Sequence, residues 1–211
     1  MWSGAGLRAT CRRSARCDRG RRVIAVMVLA AGASRRLGRP KQMEELRGES
    51  LLARSVRVAG EAGLGPVYAV VSADDFAVIA EARGLGCQVV LNREAEEGMA
   101  SSIRAGVRAL GDGAKGAMVM TCDQPAVSPA HLRLLAADGE VAASAYGGQR
   151  GVPAYFPASV FGELLELRGD AGARELLRSA RAVELKDGEM DIDTVEDLER
   201  ARTLFGGARE V

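Results

Sequence analysis

The residues directly after the first apolar run of this 211-residue chain are of a kind that binds phosphate. Positions 30–33 are all small, so the backbone there can approach a ligand closely and present its N–H groups to phosphate oxygens. Three arginines and Lys41 follow within the next eight positions, and Lys41 is one of only three lysines in the chain. The spacing matches neither the P-loop motif nor the dinucleotide fingerprint. We expect a phosphate site of another kind here, with an ordinary solvated basic loop as the alternative.

Asp123 is the first carboxylate after a later apolar run, residues 118–122. A carboxylate that faces a phosphate site requires a cation between the two negative groups. Mg²⁺ is the oxygen-seeking ion that bridges carboxylates and phosphates in proteins. Asp123 is therefore a candidate metal ligand, and the alternative is that it only caps the turn before Pro125.

Two further carboxylates, Asp191 and Asp193, flank the apolar Ile192 ahead of a predicted helix. In an extended chain, alternate side chains point to the same side, so one of these acids could supply a second metal ligand. The alternative is that both acids only complement the helix dipole.

Polar groups also follow the third predicted strand. Asn92 lies at the end of that strand, and the run 98–102, which begins with Gly98 and includes Ser101, opens a helix. Such side chains and helix N–H groups could hold a base or a ribose, or they could simply cap the helix.

The cysteines and the single histidine restrict the chemistry further. None of the four cysteines forms a CxxC pair, so structural zinc is disfavoured. We interpret the cysteines as reduced thiols of a cytosolic protein and expect Cys87 and Cys122 to be buried in strands. His131 follows Ser128 and Pro129, which are typical of a helix N-terminus, and we expect it to be a surface residue of that helix.

Strands and helices of about ten residues alternate along the chain, which predicts an α/β fold with a mostly parallel sheet, right-handed crossovers and ligands at the carboxyl ends of the strands. Five strands are predicted, at 23–29, 66–72, 87–91, 117–121 and 141–146, with helices at 51–62, 74–82, 99–110 and 128–137. The later part predicts turns at 147–148 and 151–153, a short strand at 154–156, helices at 161–167 and 173–177, an edge strand at 182–185 and a last helix at 194–204. Thr194 and Asp197 have the spacing of a capping box.

The composition restricts the class of protein to which the chain can belong. Apolar residues make up 47% and aromatic residues 4%, which is enough for one core but poor for stacking on nucleic acid. Residues 1–22 carry seven arginines and one acid, whereas the rest carries 22 basic and 27 acidic residues. We expect a disordered tail over 1–22, one domain over 23–205 and a short C-terminal tail over 206–211. No apolar run is long enough to span a membrane, and the acidic body disfavours a nucleic-acid partner.

Taken together, the motifs resemble a known family. They cover about residues 23–205 and follow in order: LAAGxSxRxGxxK from Leu29 to Lys41, Asn92 with Gly98–Ser102, Asp123-Gln124-Pro125, Gly151-x-Pro153, residues 169–174, and Asp191–Leu198. The chain is similar to the molybdenum cofactor cytidylyltransferase branch of the small nucleotidyltransferases. That resemblance implies a three-layer Rossmann-like nucleotidyltransferase fold, with helices on both faces of the sheet.

The resemblance also implies an activity: transfer of CMP from CTP to the terminal phosphate of molybdenum-molybdopterin, with release of pyrophosphate. It implies Mg²⁺ as cofactor, bound by Asp123 and Asp193, with Asp191 as second choice for the latter position. Arg36 and Lys41 would hold the triphosphate. The nucleotide would lie against the backbone of the β-strand end and against polar groups of the later loop, namely Leu29, Ala30, Ala31, Gly32, Asn92, Gly98 and Ser101.

Two residues favour cytidylyl over guanylyl transfer within this resemblance, since Ala31 and Gln124 stand where the guanylyltransferase branch usually has Gly and Met. The product would pass to a molybdenum hydroxylase apoenzyme. Val152 stands where a polar residue is frequent, so another phosphorylated acceptor remains open, as do GTP as donor and a non-catalytic carrier of the cofactor nucleotide. A nicotinamide dehydrogenase is disfavoured because its glycine fingerprint is absent.

Overall fold

The structure, a computed structural model, describes residues 23–34, 36–111, 113–169 and 172–205. Both predicted tails, 1–22 and 206–211, lie outside the described residues. The strands are β1 (Val23–Ala30), β2 (Glu45–Leu46), β3 (Glu49–Ser50), β4 (Val67–Ser72), β5 (Gln88–Asn92), β6 (Ala114–Thr121), β7 (Ala142–Tyr146), β8 (Gln149–Pro157) and β9 (Arg181–Glu184). The α-helices are α1 (Leu51–Ala62), α2 (Phe76–Gly84), α3 (Met99–Ala109), α4 (Pro129–Leu135), α5 (Phe161–Leu165), α6 (Arg174–Leu177) and α7 (Val195–Phe205), and short 3₁₀ turns cover Lys41–Met43, Ala95–Glu97 and Ala158–Val160.

Seven strands form the central sheet in the order β5-β4-β1-β6-β8-β7-β9. Among the strands that the structure describes in this sheet, only β8 runs antiparallel to its neighbours, so the sheet is mostly parallel, as predicted. The edge strand predicted near 182–185 is β9, at the end of that order. Within the described residues, no helix is long and apolar enough to cross a bilayer.

Alternating side chains of β1 enter two separate cores, which explains why this strand is apolar throughout. Val26 and Val28 pack with α1, α2 and α4 on one face of the sheet. Met27 and Leu29 pack with α3, α5 and α6 on the other face. These two cores make the three-layer α/β architecture that the family resemblance implied.

The strand register brings several carboxyl ends to one level. Leu29 of β1 lies opposite Thr121 of β6, and Ser72 of β4 lies opposite Asn92 of β5. The loops that follow β1, β5 and β6 therefore leave the sheet along the same edge, with β5 about 10 Å from β1 at the usual strand spacing.

A third, smaller core fastens the C-terminal segment to this edge. It contains Leu46 of β2, Leu51 of α1, Leu198 of α7, and Ile192, which precedes α7. The β2–β3 hairpin was not predicted, because two-residue strands carry no periodic pattern.

Of the two turns predicted at 147–148 and 151–153, the second is wrong. Gly147 and Gly148, both at positive φ, do form the turn between β7 and β8. Gly151 to Pro153, however, lie within β8. The ladder with β7 is irregular there, since Ala143 pairs with Ala154 but Ser144 pairs with Gly151, and Pro153 is accommodated in that irregularity.

Two burial predictions are also corrected. His131 is not a surface residue, because its side chain is buried and its Nε2 lies 2.8 Å from Oγ of Ser144. The Ser144 hydroxyl donates to the carbonyl of Pro153, so His131 Nε2 carries a proton and donates to Ser144. Cys87 is only half-buried, whereas Cys122 is buried as expected.

Candidate active site

The loop after β1 is held by a buried side chain, Gln42. Its Nε2 donates to the carbonyl oxygens of Ala30 (2.8 Å) and Gly32 (2.9 Å). Ser34, at φ 48°, accepts a 3.0 Å hydrogen bond from the backbone N–H of Lys41 on its hydroxyl. The loop is thereby folded back on itself, and its small residues stay at the sheet edge. Sequence reasoning missed Gln42, since no pattern distinguishes an amide that binds backbone from an exposed one.

The ammonium of Lys41 joins the two predicted metal ligands. Lys41 Nζ lies 2.5 Å from Asp123 Oδ2 and 2.7 Å from Asp193 Oδ1. Arg36 Nη1 lies 3.0 Å from the other oxygen of Asp193. The structure therefore brings together Arg36, Lys41, Asp123 and Asp193, which are far apart in the sequence.

Asp193 is positioned by a backbone hydrogen bond of its neighbour, Ile192. The N–H of Ile192 donates to the carbonyl oxygen of Asp123 at 3.0 Å, and the Ile192 side chain is fully buried. After this point the chain enters α7, where Thr194 and Asp197 form the predicted capping box: each backbone N–H donates to the other side chain, at 3.0 and 3.1 Å.

The charges of the site shift several pKa values. Burial alone would lower the pKa of Lys41, but the carboxylates of Asp123 and Asp193 outweigh it and raise this pKa above its ordinary value. The residue Asp191 is exposed, yet partial desolvation of its carboxyl and then the nearby Asp123 charge raise its pKa to about 6. Burial, with the Asp123 charge second, raises the pKa of Cys122 to about 12, so this thiol is not a nucleophile near neutral pH.

The donor set of this site fits a hard divalent cation. Among the described residues, Asp123 Oδ1 is one of the buried side-chain oxygens without a hydrogen-bond partner. The described part of the chain contains no cluster of three or more histidine, cysteine or acidic side chains that could hold a metal by itself. A site with one or two carboxylates suits Mg²⁺, which completes its shell with water and substrate phosphates.

The segment after Asp123 is positioned by Tyr146, which sequence reasoning also missed. Gln124 Nε2 donates to the Tyr146 hydroxyl at 3.2 Å, and this hydroxyl donates to the carbonyl of Val152 at 3.0 Å. A Cβ at Gly151 would clash with the same hydroxyl. The Gly151-x-Pro153 motif is thus the contact surface for Tyr146, a role that only the packing reveals.

The side chains of Asn92 and Ser101 are engaged within the protein. Asn92 Nδ2 donates to the hydroxyls of Ser101 (2.8 Å) and Ser102 (3.0 Å), while its Oδ1 accepts from the N–H of Glu94 (2.9 Å). The Ser101 hydroxyl donates to the carbonyl of Gly98 at 2.8 Å. These side chains shape the loop before α3, and their contact with a nucleotide stays a prediction.

The segment around Gly169 is fastened to this same loop. Arg104 is almost fully buried, and its Nη1 donates to the carboxylate of Glu97 at 2.7 Å and to the carbonyl oxygen of Leu167 at 2.8 Å. Gly169 N–H donates to Glu97 at 3.2 Å, and Ala100 N–H donates to the Gly169 carbonyl at 3.1 Å. The segment 167–169 is therefore held beside the start of α3.

The arrangement has a definite chemical capacity. Small residues and two cationic side chains lie at the end of β1, and carboxylates that suit a divalent cation lie at the end of β6, the neighbouring strand. Such a site can bind a polyphosphate and neutralise negative charge that develops on it.

Comparison with known proteins gives a consistent family assignment. A family model described as a MobA-like NTP transferase domain matches residues 26–185. The chain is 33% identical over 195 residues to the purine catabolism protein PucB of Bacillus subtilis, covering 82% of this chain and 93% of that protein. It is 34% identical to the nicotine blue oxidoreductase of Paenarthrobacter nicotinovorans, with 82% and 94% covered. It is 36% identical over 107 residues to a probable molybdenum cofactor guanylyltransferase of Opitutus terrae, with 51% of each chain covered.

Solved structures share this fold over most of the chain. Rv0371c of Mycobacterium tuberculosis superposes with a TM-score of 0.73 at 33% identity, covering 84% of this chain and 96% of that one. A structure of the same protein in complex with manganese has a TM-score of 0.68 at 30% identity, with 84% and 97% covered.

Proposed function

The chain belongs to the family of MobA-like NTP transferase domains, and from this premise we propose that it transfers CMP from CTP to the terminal phosphate of molybdenum-molybdopterin and releases pyrophosphate. The observation that carries the proposal is the meeting of Lys41, Asp123 and Asp193 at the carboxyl ends of β1 and β6. This is the edge where nucleotides bind in parallel α/β sheets.

The reaction needs little from protein acids and bases. A terminal phosphate monoester has its second pKa near 6, so it is ionised at neutral pH and can attack the α-phosphorus of CTP without a general base. A new P–O bond forms to the acceptor as the bond to the β-phosphate breaks, and pyrophosphate leaves. The only histidine of the chain, His131, is buried against Ser144 and takes no part.

The residues of the site then act by positioning and charge. Lys41 and Arg36 bind the triphosphate and stabilise the negative charge that accumulates on the leaving pyrophosphate. Asp123 and Asp193 hold the divalent metal, which we propose to be Mg²⁺; when bound, it neutralises phosphate charge. The manganese complex of the Mycobacterium tuberculosis protein supports a divalent metal in proteins of this fold.

The nucleotide is proposed to lie along the sheet edge from β1 to β5. Backbone at Leu29–Gly32 would contact it on one side, and the loop at Gly98 on the other, with Asn92 and Ser101 shaping that loop. The proposal of cytosine as the base is inferred from the identity of Ala31 and Gln124. The buried amide of Gln124 binds Tyr146, so its influence on base choice is indirect.

A paired assay tests this function. Pyrophosphate release is measured with CTP and with GTP, each with and without molybdenum-molybdopterin as acceptor. The proposal predicts release that depends on CTP, on a divalent metal and on the acceptor. Preference for GTP would make the protein a guanylyltransferase, and release with another phosphorylated acceptor would replace molybdopterin. Binding without turnover would leave a carrier that hands the nucleotide to a molybdenum hydroxylase apoenzyme.

A further inference from the structure

The position of Lys41 has a consequence for metal binding that rests on the proposed function. Lys41 Nζ contacts one oxygen of Asp123 (2.5 Å) and one of Asp193 (2.7 Å). From this geometry we propose that Lys41 is the built-in counter-ion of the carboxylate pair and competes with the divalent metal for it. The metal then binds tightly only together with the triphosphate, which draws the ammonium away from the carboxylates.

Distances show why the two cations exclude each other. Mg²⁺ bonds to oxygen at about 2.0–2.1 Å. An ion bound to the two oxygens that Lys41 contacts would nearly coincide with Nζ. The remaining oxygen of Asp123, Oδ1, is buried and has no hydrogen-bond partner among the described residues, so it is available to a metal. An ion bound there would still lie within a few ångströms of the ammonium and be repelled by it.

The charge balance of the site also favours metal binding together with the triphosphate. Asp123, Asp191 and Asp193 are opposed by Lys41 and Arg36, so the protein alone leaves little net negative charge to attract a divalent ion. A nucleoside triphosphate adds about four negative charges near neutral pH. With these charges present, the ammonium, the guanidinium and a divalent cation all gain partners.

Lys41 can make this exchange without unfolding the loop. Its backbone N–H is fixed by the Ser34 hydroxyl, and the neighbouring Gln42 is buried and bound to Ala30 and Gly32. The flexible four-carbon stem beyond this fixed point has several rotatable bonds. The ammonium can therefore turn from the carboxylates to a phosphate while the loop keeps its shape.

Manganese binding to the full-length protein tests the proposal, with Mn²⁺ measured by electron paramagnetic resonance at pH 8. Wild-type protein is titrated alone and with a non-hydrolysable CTP analogue, after Mn²⁺ bound by free analogue has been measured separately. We expect the analogue to tighten Mn²⁺ binding at least about tenfold. Lys41→Met removes the ammonium and retains the stem, and should bind Mn²⁺ alone about tenfold more tightly than wild type.

Two further variants control this result. Lys115→Met removes an exposed lysine at the opposite end of β6 and should bind Mn²⁺ as wild type does. Lys41→Arg keeps the positive charge and should not gain Mn²⁺ affinity. Equal Mn²⁺ affinity of the wild type with and without the analogue would overturn the proposal, as would a folded Lys41→Met variant with no gain. Because the analogue's phosphates also bind the metal, the charge-removing variant isolates the lysine; if Lys41→Met does not fold, Lys41→Gln removes the same charge in its place.

The outcome is separable from that of the proposed function. The Mn²⁺ titrations report on a lysine that competes with a metal, whereas the pyrophosphate assay reports on transfer. Absence of turnover with a normal analogue effect on Mn²⁺ binding would refute the transferase and leave the competition in place. Turnover with CTP but no effect of the analogue would refute only the competition.

Discussion

The backbone N–H of Ile192 donates a 3.0 Å hydrogen bond to the carbonyl oxygen of Asp123. The bond ties the segment before α7 to the end of β6, although the two residues are far apart in the sequence. The Ile192 side chain is fully buried in the third core, so the carboxylates on either side of it are left at the sheet edge. Asp193 is thereby fixed where Lys41 can reach it together with Asp123.

Asp123→Asn should lower the rate of pyrophosphate release by orders of magnitude with little change in the thermal midpoint of unfolding. The amide keeps the shape of the side chain but removes the charge that we propose binds the metal. The rate is measured at saturating CTP and the midpoint by circular dichroism. Asp138→Asn is the matched control, because Asp138 pairs with Arg181 at the opposite end of the sheet. Near wild-type turnover of Asp123→Asn would refute the metal role.

Ile192→Ala should reduce both stability and activity. Truncation of a fully buried isoleucine costs about 2–4 kcal/mol of unfolding free energy. It also loosens the segment that carries Asp193, so pyrophosphate release should fall by more than the folded fraction does. Urea titration and the transfer assay check the two effects. Val195→Ala, at a half-exposed position three residues further on, should change neither. Full activity of the folded Ile192→Ala protein would show that this anchor is dispensable.

Gly151→Ala should destabilise the protein by about 1–3 kcal/mol, because the added methyl group clashes with the Tyr146 hydroxyl. Tyr146→Phe removes this hydroxyl and should recover part of the lost stability when it is combined with Gly151→Ala. Tyr146→Phe alone leaves the Gln124 amide and the Val152 carbonyl without their hydrogen-bond partner. Unfolding free energies of the four proteins form a double-mutant cycle. Additive effects would exclude the contact as the reason for glycine at position 151.

The strands and the charged residues at their ends were predictable from the sequence, because a parallel strand is apolar throughout and its ligand-binding residues follow it directly. Val23–Leu29 was expected as a strand and is β1, and Asp123 was expected beyond β6 and lies there. The Thr194–Asp197 cap was predictable for a similar reason, since it depends on residues only three apart.

Contacts between distant segments were not predictable. Gln42 binds carbonyl oxygens of its own loop, and the Tyr146 hydroxyl joins Gln124 to Val152. Neither role leaves a local pattern. His131 was expected at the surface because Ser128 and Pro129 indicate only a helix N-terminus, whereas its buried partner, Ser144, lies on a strand 13 residues away. Sequence reasoning therefore found the charges of the site and missed the neutral polar groups that position them.

The ion pair between Glu97 and Arg104 should make stability depend on pH in the acid range. Hydrogen bonds from Arg104 and from the Gly169 N–H lower the pKa of Glu97 to about 2, below its ordinary value of about 4.5. The folded state therefore binds the proton of Glu97 less readily than the unfolded state does. The contribution of this ion pair to stability is complete above pH about 4.5 and is lost as the pH falls towards 2.

Glu97→Gln should flatten the fall of unfolding free energy within this window, as measured by urea titration at several pH values. Glu166→Gln is the matched control, because Glu166 and Arg168 are exposed and 3.9 Å apart, so its curve should follow that of the wild type. An unchanged pH dependence of Glu97→Gln would show that the pair does not hold the 167–169 segment against α3.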